Sequence, residues 1–159
     1  MLPIHTILHP TDFSEASQPA FEFSCALARD YRAKLVLIHV IPPTHVFAPD
    51  GIAVPFPPEE PYDIHARLAR MHPSDPRVEV DHHVLEGDPT AEILNAATKM
   101  NADVIVMGTH GNSGLTRLLV GSVAESVMRK APCPVLTVRG QFRTAPAAAS
   151  MVEAAPVTG

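Results

Sequence analysis

Tryptophan is absent, cysteine occurs twice, and basic residues are outnumbered by acidic ones in this chain of 159 residues. Two cysteines, Cys25 and Cys133, do not make a disulfide framework, and we interpret them as small buried side chains in a reducing cytoplasm. The net charge of −5 argues against a nucleic-acid partner, which usually needs a basic face. The chain has no 18-residue apolar run and no N-terminal signal pattern. We therefore expect a cytoplasmic protein without a membrane span.

Several ligand-binding motifs are missing as well. No G-x-x-x-x-G-K-[ST] loop is present, so no lysine is fixed on terminal phosphates. No G-x-G-x-x-G opens the first helix, which argues against a nicotinamide dinucleotide. His82 and His83 are neighbours in a strand-like stretch and would point to opposite faces, which is poor geometry for chelation. We therefore predict no metal site built from these side chains.

The most informative stretch runs from Asp103 to Ala131. A short apolar run behind one acid, 103–107, predicts a strand that is buried on both faces. Three glycines follow at 108, 111 and 114, and Gly121-Ser122 then opens a helical pattern. Its predicted apolar face consists of Val120, Val123, Ala124, Val127, Met128 and Ala131. A glycine loop that leads into a helix N-terminus offers amides and a positive dipole end to a phosphate.

Strand and helix patterns alternate along the chain, which predicts a doubly wound parallel sheet. The predicted strands are 4–9, 34–40, 77–85, 103–107 and 134–139. The first helix begins at Ser14 or Ser17, and its predicted buried stripe is Ala20, Phe23, Leu27 and Tyr31. A short second helix is predicted at 60–71. A third helix is predicted to begin at Asp88-Pro89, with Ile93, Ala97 and Met100 facing the core. The polar alternation of 77–85 favours a half-exposed edge strand.

Two segments do not fit this alternation. Residues 42–61 contain seven prolines, a density at which we expect no regular element. The segment is either a lid over the binding edge or a family-variable insertion. Residues after Gly140 are rich in alanine and proline and lack a helical stripe. We therefore predict one domain over 1–140 and a disordered tail over 141–159.

The spacing Gly108-x-x-Gly111, nine residues, then Gly121-Ser122, followed by Ala131-Pro132-Cys133-Pro134-Val135, resembles the universal stress protein family in its ATP-binding branch. The resemblance covers residues 1 to about 140. It implies a Rossmann-like, doubly wound, five-stranded parallel sheet with strand order 3-2-1-4-5 and helices on both faces. In that order the chain reverses between strands one and four, and ligands bind at such a switch point outside the carboxyl ends of the strands. The loops 10–14 and 108–122 would then meet in one crevice.

The resemblance also implies the residues of a nucleotide site, which are Pro10, Thr11, Asp12, Val40, Met107, Gly108, His110, Gly111, Gly121, Ser122 and Val123. Thr11 and Asp12 would lie against ribose and adenine, and Val40 would hold the adenine edge through its backbone. Each assignment has a structural alternative. The glycines could make plain turns, Asp12 could be a turn acid, and His110 could simply be a surface residue. Ser122-x-x-Glu125 forms a capping-box pattern, so the Ser122 hydroxyl could cap its own helix instead of binding phosphate.

Taken together, these features predict an ATP-binding sensor or switch of the stress response, with ATP and Mg²⁺ as ligands and at most slow hydrolysis. The sequence names no catalytic residue. A slow ATPase and a nucleotide-independent scaffold are the alternatives on the same fold. Family members dimerise through the fifth strand, so the resemblance also implies a homodimer there. We also expect a protein partner, which the sequence does not identify.

Overall fold

The computed structural model describes residues 3–43, 45–47, 53–55, 61–109 and 121–139. Its strands are β1 (Thr6–Pro10), β2 (Lys34–Ile41), β3 (His45–Phe47), β4 (Ala53–Pro55), β5 (Val80–Glu86), β6 (Val104–Gly108) and β7 (Val135–Val138). Its helices are α1 (Gln18–Tyr31), α2 (Pro61–Ala69), α3 (Pro89–Lys99) and α4 (Ser122–Lys130). No helix in these ranges is long and apolar enough to cross a membrane.

The main sheet has five parallel strands in the order β5-β2-β1-β6-β7. Numbered by the five predicted strands, this is the order 3-2-1-4-5, so the predicted topology is confirmed. Strand β5 lies at one edge, and none of its side chains is fully buried, as the polar alternation of residues 77–85 predicted. Strand β7 forms the other edge.

Helices cover both faces of this sheet and divide the core in two. On one face, Ile7, Leu35 and Leu37 pack with residues of α1 and with Leu68 of α2. On the other face, Leu8, Val36 and Ile38 pack with Ile93 and Ala97 of α3 and with Ala124 and Val127 of α4. Because consecutive residues of β1 and β2 enter opposite core halves, these strands are apolar runs without alternation.

The start of α3 confirms its predicted cap. The Asp88 carboxylate accepts a hydrogen bond of 2.9 Å from the Ala91 amide, and Pro89 occupies the first helical turn. Of the two candidates for the start of α1, the N-cap position belongs to Ser17, although its side chain makes no capping hydrogen bond. The free thiols of Cys25 and Cys133 are half-buried, and burial raises both pKa values, that of Cys25 to about 12.

Two predicted helix stripes are partly wrong. In α1 the buried residues are Ala20, Phe21, Ser24 and Ala28, whereas Tyr31 is 44% exposed at the end of the helix. Phe23 and Leu27 pack only at the margin of the core. In α4 the buried residues are Ala124 and Val127, and Met128 is 40% exposed. Apolar residues surround more than one face of α1, so the contact with the sheet, and not the periodicity, decides which face is buried.

The proline-rich segment contains regular structure, which corrects the prediction of none. Strands β3 and β4 form an antiparallel pair in which Val46 is opposite Val54. The three residues of β3 lie between prolines, and Pro55 ends β4, a position where a missing amide hydrogen is tolerated. The rest of 44–60 and the predicted tail, 141–159, lie outside the described residues.

Candidate functional site

The switch point lies between β1 and β6, the two neighbouring central strands from which the chain runs outward in opposite directions. Beyond β1 follows the turn of residues 11–14, and beyond β6 follows Thr109. Gly121, which precedes α4, donates a hydrogen bond of 2.7 Å from its amide to the Thr109 carbonyl. The N-terminus of α4 therefore lies at the carboxyl end of β6, the neighbour of β1. The predicted meeting of the loops 10–14 and 108–122 stays a prediction, because residues 110–120 lie outside the described residues.

Proline at position 10 explains why β1 and β6 separate there. The Thr11 amide donates to Ile38 of β2, and the Thr6 carbonyl accepts from Asp103, so even-numbered backbone groups of β1 face β6. The amide of residue 10 would be the next donor to β6, but proline has none. Accordingly, β1 pairs with β2 through Pro10, whereas the β1–β6 register runs only over Ile7–Val104 and Leu8–Ile105.

The side chain of His9 supplies the missing donor. Its Nδ1–H donates a hydrogen bond of 2.8 Å to the Val106 carbonyl, which fixes the tautomer because a carbonyl can only accept. His9 is fully buried, and its ring centroid lies 5.9 Å from that of Phe21. Burial lowers the pKa of His9 to about 4, and the Val106 carbonyl and the Asp12 carboxylate offset only part of that effect. His9 is therefore uncharged at pH 7, and its side chain links the two central strands β1 and β6.

The turn after β1 is held by its own side chains. The Thr11 hydroxyl accepts a hydrogen bond of 3.1 Å from the Phe13 amide. The Asp12 carboxylate accepts from the Ser14 amide at 3.0 Å and from the Ser14 hydroxyl at 2.6 Å. Asp12 thus serves as a turn acid, the structural role that the sequence left open, and its predicted contact with ribose remains a prediction. Phe13 adopts φ 59°, in the left-handed region that a bulky side chain seldom occupies.

Three side chains stack beside this turn. The Phe13 ring lies 4.4 Å from the imidazole of His39 on β2, with 29° between the two planes. The guanidinium carbon of Arg67 on α2 lies 4.4 Å from the centroid of the Phe13 ring. His39 is buried, and its Nδ1–H donates a hydrogen bond of 2.8 Å to the Thr11 carbonyl. The Phe13 stack therefore joins α2, the β1–α1 turn and β2.

The N-terminus of α4 differs from the predicted capping box. Gly121, and not Ser122, is the N-cap residue; its carbonyl accepts from the Glu125 amide, and no side chain caps the helix. Ser122 is the first helical residue, one position too late for its hydroxyl to play the capping role. The amides of Ser122 and Val123 lie in the first turn, where no acceptor exists within the helix. That turn also has the positive end of the helix dipole.

The remaining predicted site residues fall into two groups. Val40 lies near the carboxyl end of β2 beside Leu85, Met107 is buried against α3 and α4, and Gly108 pairs with Val138 at the end of β6. His110 and Gly111 lie outside the described residues, as does the rest of 110–120. The sequence reasoning did not identify His9, Phe13, His39 or Arg67. A histidine directly before a proline in a buried strand was the one available signal.

The site contains few acidic ligands. Among the described residues, no group of three histidine, cysteine, aspartate or glutamate side chains could hold a metal ion. The nearest carboxylate, that of Asp12, is half-buried at this edge of the sheet and accepts two hydrogen bonds from Ser14.

The topology defines a doubly wound α/β protein, a fold in which ligands generally bind at the switch point. The model of the universal stress protein family matches residues 3–139, and the chain belongs to that family. A universal stress protein of Methanocaldococcus jannaschii is 33% identical over 144 residues, which cover 84% of this chain and 81% of that protein. A universal stress protein of Thermus aquaticus is 35% identical over 143 residues, covering 84% and 98%.

Solved structures share the same fold. The universal stress protein of Lactobacillus plantarum superposes with a TM-score of 0.69 at 22% identity, covering 87% of this chain and all (100%) of that chain. A universal stress protein in complex with cAMP superposes at 0.62 with 23% identity, covering 87% and 98%. One from Archaeoglobus fulgidus in complex with dAMP superposes at 0.60 with 19% identity, covering 87% and 100%.

Proposed function

We propose that this protein binds an adenine nucleotide, ATP with Mg²⁺, and acts as a nucleotide-dependent sensor or switch of the stress response. Two structures of the same fold hold adenine nucleotides, cAMP in one and dAMP in the other. The observation that carries the proposal is the junction of Thr109 and Gly121. It brings the amides of the first turn of α4 to the carboxyl end of β6, at the switch point.

Each part of the crevice has a role in this proposal. The amides of Ser122 and Val123 donate to phosphate oxygens, together with Gly108, His110 and Gly111 of the glycine signature. Gly121 lines the site without donating, because its amide is bonded to the Thr109 carbonyl. Because the Ser122 hydroxyl is not used as a cap, it is available for a phosphate oxygen as well. Pro10, Thr11 and Asp12 face the ribose and base, Val40 holds the adenine edge, and Met107 adds apolar cover.

The proposal is tested by the nucleotide that the protein carries. Mass spectrometry of the ligand released from purified protein should identify an adenine nucleotide, and calorimetric titration of stripped protein should show ATP binding at one site per chain. Titration with GTP is the control for the base. Absence of any bound nucleotide, together with no heat of binding for ATP, ADP, AMP or cAMP, would favour the scaffold alternative.

ATP turnover is expected to be far slower than the ~1–10³ per second of typical enzymes. Phosphoryl transfer depends on positioned cations and on an oriented nucleophile. The chain has no G-x-x-x-x-G-K-[ST] loop and so no lysine fixed on the terminal phosphates. The carboxylate that follows β1, that of Asp12, already accepts hydrogen bonds from Ser14. A single-turnover assay with radiolabelled ATP measures the rate directly. Turnover within the enzymatic range would replace the switch proposal with the ATPase alternative.

The protein is expected to be a homodimer with antiparallel contacts between two β7 strands. This strand is at the edge of the sheet, and Leu136 in its middle is 40% exposed. An exposed apolar edge pairs readily with another strand. Light scattering should give a dimer at micromolar concentration, and Leu136→Lys should shift it to a monomer. Tyr31→Lys, at a similarly exposed large hydrophobic residue on α1 (44%), is the control and should leave the dimer intact.

A further inference from the structure

The Phe13 stack connects α2 directly to the turn that carries Thr11 and Asp12. Its outer layer is the guanidinium of Arg67, its middle layer is the Phe13 ring, and its inner layer is the imidazole of His39. Arg67 is exposed, Phe13 is half-buried and His39 is buried, so the stack runs from the surface to the edge of the sheet.

Both inner members of the stack also hold Thr11 by hydrogen bonds. His39 donates from Nδ1 to the Thr11 carbonyl at 2.8 Å, and the Phe13 amide donates to the Thr11 hydroxyl at 3.1 Å. The Thr11 side chain, which is 5% exposed, also lies 3.4 Å from the Ser17 hydroxyl. A change in the position of the Phe13 ring must therefore alter the surroundings of Thr11 and of its neighbour Asp12.

The backbone of Phe13 needs outside support. A phenylalanine at φ 59° occupies a conformation that bulky side chains seldom adopt, and such residues persist only where the surroundings fix them. The ring stacks on the imidazole of His39 and also contacts the guanidinium of Arg67. A guanidinium over an aromatic face is attracted by the ring quadrupole. Arg67 is the member of the stack that belongs to α2, the helix that follows the proline-rich segment.

We propose that Arg67 is a positioning residue for the nucleotide site, and that the Phe13 stack links α2 to nucleotide occupancy. This inference rests on the proposed function. Arg67 holds the Phe13 ring, the ring holds the left-handed turn, and the turn presents Thr11 and Asp12 to the ligand. Linkage is reciprocal. If the contact between Arg67 and Phe13 raises nucleotide affinity by some factor, bound nucleotide must favour that contact, and so the packed position of α2, by the same factor. A partner that binds α2 would therefore change nucleotide affinity without contacting the nucleotide. The affinity would rise if the partner favours the contact between Arg67 and Phe13, and would fall if it disrupts that contact.

Two arginine variants separate this role from a general charge effect. Arg67 and Arg70 are both exposed, three residues apart, and each change to alanine removes one positive charge. In calorimetric titrations with MgATP, Arg67→Ala should bind about two- to fivefold more weakly than Arg70→Ala, the size expected for one exposed cation–π contact. Equal affinity of the two variants would overturn the inference.

Variants of the ring provide the rescue. Phe13→Tyr keeps an aromatic face and should bind MgATP within about twofold of the parent. Phe13→Leu keeps apolar bulk but removes the face under the guanidinium, and should bind at least about fivefold more weakly, the lower end of typical coupling effects. If the leucine variant matches the tyrosine variant, the stack does not position the site.

Hydrogen exchange supplies a measurement that a purely structural role would not move. Saturating MgATP should slow exchange of the α2 amides around Ile64 and Leu68 in the parent and in Arg70→Ala, but not in Arg67→Ala. Unchanged α2 exchange in the parent on binding would contradict the linkage. A parent that binds no adenine nucleotide would overturn the proposed function as well. A parent that binds while Arg67→Ala behaves like Arg70→Ala would overturn this inference alone.

Discussion

Replacing Ser122 by proline is expected to weaken ATP binding about 10- to 150-fold while the fold is retained. Proline removes one backbone donor, and a hydrogen bond to a charged group contributes about 1.5–3 kcal/mol. At about 1.4 kcal/mol per factor of ten in affinity, this loss gives the stated range. The amide of Ser122 is one of the two donors that the proposed phosphate site takes from α4.

The local backbone makes this substitution structurally mild. Ser122 is the first residue of α4, the helical position where proline is most readily accommodated. Gly121 before it has φ −58° and ψ 147°, which is the extended conformation that a following proline requires. The thermal melt without nucleotide should therefore stay near that of the parent.

Ser122→Ala is the matched control for the proline variant. It keeps the amide and removes only the hydroxyl, so it should lose less affinity than Ser122→Pro. Calorimetric titration with MgATP of parent and both variants measures the difference. ATP affinity of the proline variant equal to that of the parent would show that the Ser122 amide does not contact phosphate, and the α4 site would have to be abandoned.

Lowering the pH from 7 to 4 is expected to reduce the free energy of unfolding by about 3 kcal/mol through His9 alone. The unfolded chain binds a proton at His9 with an ordinary pKa of 6.5, whereas burial lowers the pKa of the folded state to about 4. Between these values the unfolded state carries more protons, so stability falls as the pH falls. Each unit of difference is worth about 1.36 kcal/mol.

The surroundings of His9 explain why charging is costly. A second proton would place an N–H at Nε2, which has no hydrogen-bond partner among the described residues. Asp12 contributes a favourable charge effect that is smaller than the effect of burial. Below about pH 4 both states carry the proton and His9 adds no further loss, whereas Asp75 and Asp103, whose pKa values are lowered by hydrogen bonds, act at lower pH.

Urea unfolding at several pH values tests this expectation. His9→Gln keeps an amide donor for the Val106 carbonyl but cannot titrate, so its stability should vary much less between pH 7 and 4. His65→Gln, which removes an exposed histidine from α2, is the control and should follow the parent. The same pH dependence in parent and His9→Gln would show that His9 is not the group responsible.

A large part of this fold is predictable from the sequence. Val104 to Met107 and Leu35 to Ile38 are buried on both faces of a parallel sheet, which is why they appear as unbroken apolar runs. The glycines after β6 and the proline–threonine–aspartate turn after β1 mark the carboxyl ends of the strands. Because parallel strands end at one edge, the strand order places the carboxyl ends of β1 and β6 side by side.

The details of the site depend on contacts that no local pattern encodes. His9 is one example. The sequence of β1 does not show that Pro10, which has no amide hydrogen, leaves the Val106 carbonyl of β6 without a backbone donor. At the left-handed Phe13, the amide donates a hydrogen bond to the Thr11 hydroxyl and the ring contacts Arg67 of α2, more than fifty residues away in the sequence. The S-x-x-E pattern at 122–125 fits a capping box, but Gly121 occupies the cap position instead.

The hydrogen bond between Thr109 and Gly121 has a consequence for how tightly the glycine signature can hold a ligand. Eleven residues lie between these two, and a hydrogen bond of 2.7 Å within the fold joins the residues that flank them. The entropy of closing the loop is therefore lost when the chain folds and not when the ligand binds. Doubling the length of such a loop adds only about 0.6 kcal/mol to that cost. The added cost lowers the free energy of unfolding and leaves the free energy of binding unchanged. In the proposed site, the chain length between residues 112 and 120 can thus vary with little penalty to affinity, provided that the closing hydrogen bond and the phosphate contacts of His110 and Gly111 are kept.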